Sequence, residues 1–164
     1  MSNKKNKKEF SFYRQAREDL GMTRAEASEA MLTSEDRLEK IENGYTRLQP
    51  EDVIQMAKVY KKPSLINHYC AKDCALGKGR INEITMNDFS QIILNIIVSL
   101  NSIDHEKNHL IEIAADGKIE DSELHDFINI KNQLKDIANS VEALQLWLDK
   151  MIASGDMEKN LEPL

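Results

Sequence analysis

The sequence predicts an all-α protein in two parts, and three observations carry this prediction. Only 6 glycines and 3 prolines occur in 164 residues, too few for the many turns of a β-rich fold. In the second half, apolar residues recur at steps of three and four, which is the period of an amphipathic helix. The net charge of −6 is divided unevenly, with +4 on residues 1–80 and −10 on residues 81–164. We therefore expect two helical parts of different electrostatic character.

The first half contains five short predicted helices with recognisable ends. Thr23 is followed three residues later by Glu26, and Ser34 precedes two acidic residues, so both are typical helix N-caps. Gly21 and Gly44 suit the left-handed position that closes a helix. The predicted helices are residues 12–20, 23–31, 34–42, 50–60 and 64–76.

The apolar pattern in the second half of the sequence predicts two long helices joined by a turn at residues 116–118. The first covers about residues 86–115, and the second follows from Phe127. At roughly 30 residues each helix would be about 45 Å long, so we expect the two to fold back as an antiparallel hairpin. In the second helix, apolar residues recur at alternating steps of three and four, which predicts a heptad seam. The seam residues are Phe127, Ile130, Leu134, Ile137, Val141, Leu144, Leu148 and Met151.

These patterns divide the chain into five segments. Lys4, Lys5, Lys7 and Lys8 account for the whole positive excess of the first half and predict a basic disordered arm that could follow phosphates. The predicted segments are the arm at 1–9, a helical domain at 10–76, a linker at 77–84, the hairpin at 85–155, and a C-terminal tail at 156–164.

The hairpin carries more apolar surface than one partner helix can cover, because apolar residues also lie off the main seams. We expect these residues to form a homodimer interface. The alternative is that they pack against the N-terminal domain of the same chain. The predicted interface residues are Ile92, Ile97, Ile111, Leu146 and Trp147.

The segment from Tyr13 to Gly44 resembles the helix-turn-helix core of the lambda-repressor-like (XRE) family of bacterial and phage regulators. The most specific matches are Arg17 with the run Leu-Gly-Met-Thr at 20–23, and Ile-Glu-Asn-Gly at 41–44 followed by a helix that begins Pro-Glu at 50–51. The resemblance covers about residues 12–69. It implies a backbone-crossing helix at 23–31, a recognition helix at 34–42 in the major groove, and double-stranded DNA as the partner.

The resemblance also assigns roles to residues. It implies base contacts by Glu35, Asp36 and Lys40, and phosphate contacts by Arg24 and Asn43. The full DNA-binding set that we infer is Arg24, Ser34, Glu35, Asp36, Arg37, Lys40, Asn43, Tyr45, Thr46 and Arg47.

The resemblance further implies a buried ion pair between Arg17 and Glu42. Glu42 lies beside Leu38 and Ile41 on the apolar side of its helix. A carboxylate in that position needs a partner, and a bidentate arginine is the best one.

Two departures from the family pattern keep a second interpretation open. Leu32 stands where the turn usually has glycine, and the recognition helix opens with Glu35 and Asp36. Carboxylates can accept a hydrogen bond from cytosine N4, but the phosphates repel them. The acidic turn could instead only stabilise its own helix N-terminus. We therefore expect a DNA-binding transcriptional regulator, and the alternative is a protein-interaction or scaffold module of helix-turn-helix origin that does not bind DNA.

Metal sites and cofactors are not expected. Cys70 and Cys74 with His68 could supply part of a zinc site, but a fourth ligand is missing locally, and two packed reduced thiols are the commoner arrangement. Residues 112–123 superficially match a calcium loop, yet Ala114 replaces an oxygen ligand.

The remaining expectations concern enzyme activity, location and effectors. The sequence has no catalytic triad pattern, phosphate loop or nucleotide fingerprint, so we expect no enzyme. It has no apolar run long enough to span a membrane and no secretory signal, so we expect a cytoplasmic protein. An effector, protein or small molecule, would bind at the hairpin.

Overall fold

The computed structural model describes residues 6–85, 88–115 and 123–157. It contains two compact units. One comprises the described residues up to Glu83 together with those from Asp149 onward, and the other runs from Ile84 to Leu148. All regular structure in these described ranges is helical, which confirms the all-α prediction.

The first unit is built from five helices around one core. The elements are α1 (Asn6–Glu18), α2 (Arg24–Ala30), α3 (Glu35–Glu42), α4 (Pro50–Val59) and α5 (Ser64–Lys72). Each helix contributes apolar side chains to a common cluster, in which Tyr13, Ala27, Leu38, Met56 and Leu65 are fully buried. The burial of α3 through Leu38 and Ile41 leaves its opposite side facing outward.

Helix α1 begins at Asn6, six residues before the predicted start at Phe12. Residues 6–9 of the expected disordered arm are therefore helical, while residues 1–5 lie outside the described ones. Between Asn6 and Phe12 the sequence contains Lys and Glu residues with good helix propensity and no glycine or proline. Nothing in the sequence therefore ends the helix at the predicted boundary.

Helices α1 and α3 end in Schellman motifs with glycine in the left-handed conformation. After α1, the amides of Gly21 and Met22 donate to the carbonyls of Glu18 and Arg17. After α3, Gly44 takes the equivalent position with φ +75°. These two closures use the residue type that adopts a positive φ without steric cost.

Helix α2 closes in the same way, but with Leu32 in the left-handed position. The amide of Leu32 donates to the carbonyl of Glu29, that of Thr33 donates to the carbonyl of Ser28, and φ of Leu32 is +53°. The Leu32 side chain is 95% exposed, so packing does not compensate the strain of this conformation. The turn between α2 and α3 therefore carries a local conformational cost.

The predicted linker at 77–84 is not free of the first unit, because residues 77–83 fold back on α5. A side chain at Gly77 would overlap the carbonyl oxygen of Cys70, so the chain can pass here only with glycine. The Asn67 side-chain amide donates to the backbone carbonyl of Asn82, at 3.1 Å.

Glu83 completes the attachment of this segment. One of its carboxylate oxygens lies 2.6 Å from Nδ1 of His68, and the other lies 3.0 Å from Nζ of Lys72. The His68 ring is buried and stacks on Phe12, with centroids 4.1 Å apart. The first unit therefore extends to Glu83 rather than ending at residue 76. Sequence reasoning missed this because the two glycines at 77 and 79 suggested a flexible segment.

Two long helices follow, α6 (Phe89–Ala115) and α7 (Leu124–Ser154). The second unit contains α6 and the part of α7 up to Leu148. The side chain of Asp88 caps α6 by accepting a hydrogen bond from the amide of Gln91, at 2.9 Å. Phe89 at the start of α6 packs against Trp147 near the end of α7, with ring centroids 4.7 Å apart. This contact shows that the chain folds back as the predicted antiparallel hairpin, while the turn at 116–118 lies outside the described residues.

A line of buried and half-buried side chains along each helix forms its inward seam, which differs from the predicted one. Ala143 and Leu146 on α7 are also buried but lie off this line. Leu134 and Val141, both predicted in the seam of α7, are about half exposed. The apolar stripe of α7 is broader than one partner helix covers, so the seam follows one edge of it. The inward residues are Ile92, Ile96, Ser99, Ile103, Glu106 and Leu110 on α6, and Ile130, Gln133, Ile137, Ser140, Leu144 and Trp147 on α7.

The five predicted dimer-interface residues differ in exposure. Ile92 and Leu146 are buried within the chain, which removes these two from the surface that a partner could reach. Trp147 is half-buried against Phe89. Ile97 and Ile111 are about half exposed, and their place in an interface stays a prediction.

The strain at Leu32 gives a testable prediction. We expect Leu32→Gly to raise the free energy of unfolding by about 1 kcal/mol, because relief of the left-handed strain exceeds the extra chain entropy of glycine. Leu32→Ala, which retains a Cβ, serves as the matched control and should give no such gain. Urea unfolding of the three proteins measures the difference. Equal stability of the Gly and Ala variants would contradict the proposed strain.

Candidate nucleic-acid interface

Two adjacent helices, α2 and α3, are defined at their ends by side-chain caps. Thr23 and Glu26 form a reciprocal capping box at the start of α2. Ser34 caps α3 by accepting a hydrogen bond from the amide of Arg37, at 3.2 Å. Asn43 is the C-cap residue of α3 and is exposed. The start of α3 is therefore fixed by Ser34, which acts on its own helix.

A buried ion pair joins α1 to the end of α3. Arg17 donates from Nε to Oε1 of Glu42 at 2.6 Å and from Nη2 to Oε2 at 3.0 Å. The Glu42 side chain is fully buried. Arg17 also donates from Nη1 to the carbonyl of Met22, at 2.6 Å. One guanidinium thus ties the loop before α2 to the last turn of α3.

A second arginine shares the same carboxylate. Nε of Arg24, in the first turn of α2, lies 2.8 Å from Oε2 of Glu42, and its Nη1 lies 3.9 Å from Glu39. Arg24 was expected to contact a phosphate, but here it faces inward to Glu42 and is about one quarter exposed. Glu42 therefore connects α1, α2 and α3 through two cations.

The two arginines determine the protonation of Glu42. Burial alone raises the pKa of this carboxyl, but the hydrogen bonds from Arg17 and Arg24 outweigh burial and hold the pKa below its ordinary value. The hydrogen bond to Glu42 likewise raises the pKa of the Arg17 guanidinium. The group is thus a charged network in which Glu42 is ionised at neutral pH.

Comparison with known families agrees with this geometry. A family model described as helix-turn-helix matches residues 14–65, a range that spans α2, its turn and α3. This part of the chain is therefore similar to helix-turn-helix domains. No curated protein and no solved structure matches the chain.

The outward side of α3 in this helix-turn-helix domain is dominated by acidic groups. Glu35, Asp36 and Glu39 are all exposed. Lys40, the basic residue expected to contact bases, lies 2.6 Å from Asp36 one turn away. Residues 24–42 contain three basic and six acidic side chains. The helix assigned to the major groove is therefore negatively charged overall.

Arg37 is also engaged in an ion pair that sequence reasoning missed. Its Nη2 lies 2.7 Å from Oδ2 of Asp52, and its Nε lies 3.4 Å from Oδ1. Asp52 in turn accepts a hydrogen bond from the amide of Gln49, which precedes α4. The Arg37 side chain remains 40% exposed. This pair fastens α3 to α4, and no local sequence signal identifies a contact across 15 residues.

The segment after α3 provides the remaining expected contacts. Asn43 and Arg47 are exposed, Thr46 is half-buried, and Tyr45 is 81% exposed. Arg47 forms no ion pair with any residue in the described ranges. It is the one expected basic contact that is not already paired within the described part of the domain.

The other candidate sites have less support in the geometry. Cys70 and Cys74 are half-buried thiols that are not joined in a disulfide and that pack against the core of the domain. Within the described ranges, no three or more His, Cys, Asp or Glu side chains are grouped to hold a metal ion. Most of the calcium-like segment at 112–123 lies outside the described residues.

None of the helices in the described parts of the chain combines the length and the apolar character needed to cross a bilayer.

The lowered pKa of Glu42 predicts the direction of the acid response. A carboxyl whose pKa is lower when folded stabilises the fold above its ordinary pKa of 4.5 and loses that contribution as the pH falls through the folded value. Glu42→Gln should therefore be less stable than the wild type at pH 7, and this difference should shrink below pH 4.5. Glu51→Gln, at an exposed position on α4, is the control. Urea titrations from pH 7 to pH 3 test this, and a constant difference for Glu42→Gln would contradict it.

Proposed function

We propose that this protein is a sequence-specific transcriptional regulator that binds double-stranded DNA, with α3 in the major groove. The observation that carries the proposal is the α2–turn–α3 unit, capped at Thr23 and Ser34 and joined through Glu42. In this family of folds, the second helix of such a unit reads base edges while the first crosses the backbone. DNA binding also implies the cytoplasm as its place of action.

The ion pairs on α3 differ in how easily DNA can replace them. The Asp36–Lys40 pair is exposed on both sides, and such surface pairs contribute about 0–1 kcal/mol. An acceptor on a base edge can therefore take Lys40 from Asp36 at small cost. The pairs of Arg17 and Arg24 with Glu42 are buried or partly buried, and we propose that they persist and hold α3 in place.

The acidic residues at the start of α3 would act on bases rather than phosphates. Glu35 and Asp36 in the first turn of α3 can accept hydrogen bonds from cytosine N4. Asn43 and Arg47, near the end of the helix, would contact the backbone. We infer that affinity is modest and that its dependence on salt is shallow, because few cations are available to neutralise phosphates.

The dimer and the effector belong to the same proposal. One helix-turn-helix domain makes few base contacts, and such domains commonly bind two half-sites as a two-fold dimer. The hairpin of α6 and α7 retains exposed apolar side chains, so we propose that it forms the dimer. A protein or small-molecule effector would act through this hairpin.

A second candidate function is favoured by the charge of α3. Six acidic side chains against three basic ones in residues 24–42, with each of the three basic ones in an ion pair, suit a basic protein partner better than DNA. The exposed Leu32 and Tyr45 at the two ends of α3 would add apolar contacts. In that case the domain is a protein-interaction module.

Selection from randomised duplexes at low salt separates the two functions. We expect an enriched sequence, weaker binding of it by Lys40→Ala and Asn43→Ala, and a salt slope reduced by about one for Arg47→Ala because one phosphate contact is lost. Lys58→Ala, at an exposed position on α4 outside the inferred set, should leave binding unchanged. Failure to retain any duplex at low salt would rule out DNA binding and favour the protein-interaction module.

A further inference from the structure

We propose that one face of the α6–α7 hairpin binds the same face of a second copy, with α6 antiparallel to α6 of the partner and α7 antiparallel to α7 of the partner. This inference specifies the interface of the dimer within the proposed function. It makes no use of DNA binding, so the two can fail separately.

The geometry of the hairpin places two apolar flanks on one side. Successive residues of an α-helix are rotated by about 100°, so each flank can be located relative to the inward seam of its helix. The rotation of a residue from the seam can be viewed from the N-terminus of its own helix. When two helices are antiparallel, residues rotated from their seams in the same sense lie on the same side of the hairpin. Ile97, Leu100 and Ile111 on α6 are displaced in the same sense as Phe127 and Leu134 on α7. We name these five residues the shared face.

Four of the five residues of the shared face are exposed in a single chain, and Phe127 is half-buried. Leu100 is 50% exposed, Ile111 is 58% exposed and Leu134 is 47% exposed. Soluble chains rarely leave several large apolar side chains together on one surface, unless a partner covers them. A stable interface uses about 20–30 residues from each partner, and one side of a hairpin with helices of 27 and 31 residues can supply them.

The α6 part of the face is complementary to itself when one copy is reversed. Along this flank Leu100 is followed by Asp104, Lys107 and Ile111. A two-fold axis between Asp104 and Lys107 brings Leu100 opposite Ile111 of the other copy and Asp104 opposite its Lys107. Asp104 and Lys107 are both exposed and form no ion pair with a residue in the described ranges. Such self-matching is what an isologous interface requires.

The same axis produces a second match on α7. Phe89 and Trp147 lie at one level of the hairpin. On α6, the midpoint between Asp104 and Lys107 is sixteen to seventeen residues after Phe89. On α7, the midpoint between Phe127 and Leu134 is equally far before Trp147. The two midpoints therefore lie at the same level of the hairpin. One axis therefore also brings Phe127 opposite Leu134 of the second copy.

This agreement identifies the occupant as a second copy rather than an unrelated protein. The apolar matches and the opposite charges of Asp104 and Lys107 all follow from one symmetry operation. Lys131 lies beside the axis on α7, and its long stem allows the ammonium group to reach solvent at the rim. The result is a four-helix bundle in which each chain contributes two helices.

Charge exchange at Asp104 and Lys107 tests the pairing. Sedimentation equilibrium should show a dimer for the wild type at tens of micromolar. Asp104→Lys and Lys107→Asp should each weaken dimerisation by about tenfold or more, because each variant places like charges opposite one another twice. The double variant should recover the dimer, and an equimolar mixture of the two single variants should form mixed dimers.

Asp136→Lys is the matched control, because Asp136 is exposed on α7 but displaced from the seam in the opposite sense. It should leave dimerisation unchanged, and circular dichroism should show equal helix content in all variants. A wild type that is monomeric at 100 micromolar would overturn the proposal. Single variants that dimerise as well as the wild type, or a double variant that does not recover, would overturn it as well.

Discussion

The carboxylate of Glu42, buried between Arg17 and Arg24, is the constraint on which the helix-turn-helix domain depends. It lies on the last turn of α3, while its partners come from α1 and the first turn of α2. An ionised carboxylate in the interior is tolerated only when its oxygens are paired with good geometry. Because both oxygens of Glu42 are occupied, a shift of any one of the three helices would leave a buried charge unpaired. The position of α3 relative to α1 and α2 is therefore held by electrostatics as well as by apolar packing.

This network also determines which cations remain for a partner. Arg17 and Arg24 serve the interior, and Arg37 is held by Asp52 on α4. Lys40 is paired only on the surface, with Asp36, and Arg47 is exposed. Structural arginines and contact cations are thus separate groups in this domain. The distinction explains how a domain with an acidic second helix could still approach DNA, and also why its affinity would be modest.

The sequence was informative where local chemistry determines structure. The caps at Thr23 and Ser34, and the glycines that close α1 and α3, are local signals, and α2 and α3 begin where those signals indicate. The need of Glu42 for an arginine follows from its apolar neighbours. The second partner, Arg24, and the pairing of Arg37 with Asp52 join residues 15 or more positions apart. Such contacts depend on how the helices pack, and no local pattern encodes them.

The predictions that failed involve competition between local signals and packing. Residues 77–83 carry two glycines and look like a linker, but Glu83 finds partners on α5 in His68 and Lys72. On α7 the apolar stripe is wide enough for more than one seam, so periodicity alone could not decide which edge faces α6. Leu134 and Val141 remain on the outer edge for this reason. The same width provides the surface that a second copy could cover.

A double-mutant cycle on Arg17 and Glu42 tests the central claim most directly. Methionine at either position has a similar length and no charge. Arg17→Met leaves Glu42 with Arg24 alone, and Glu42→Met leaves both arginines without their carboxylate. We expect each single variant to lose about 3 kcal/mol or more of unfolding free energy. The double variant should lose less than the two losses combined, with a coupling of about 2 kcal/mol. Losses that add to within about 0.5 kcal/mol would show that the pair does not hold the three helices together.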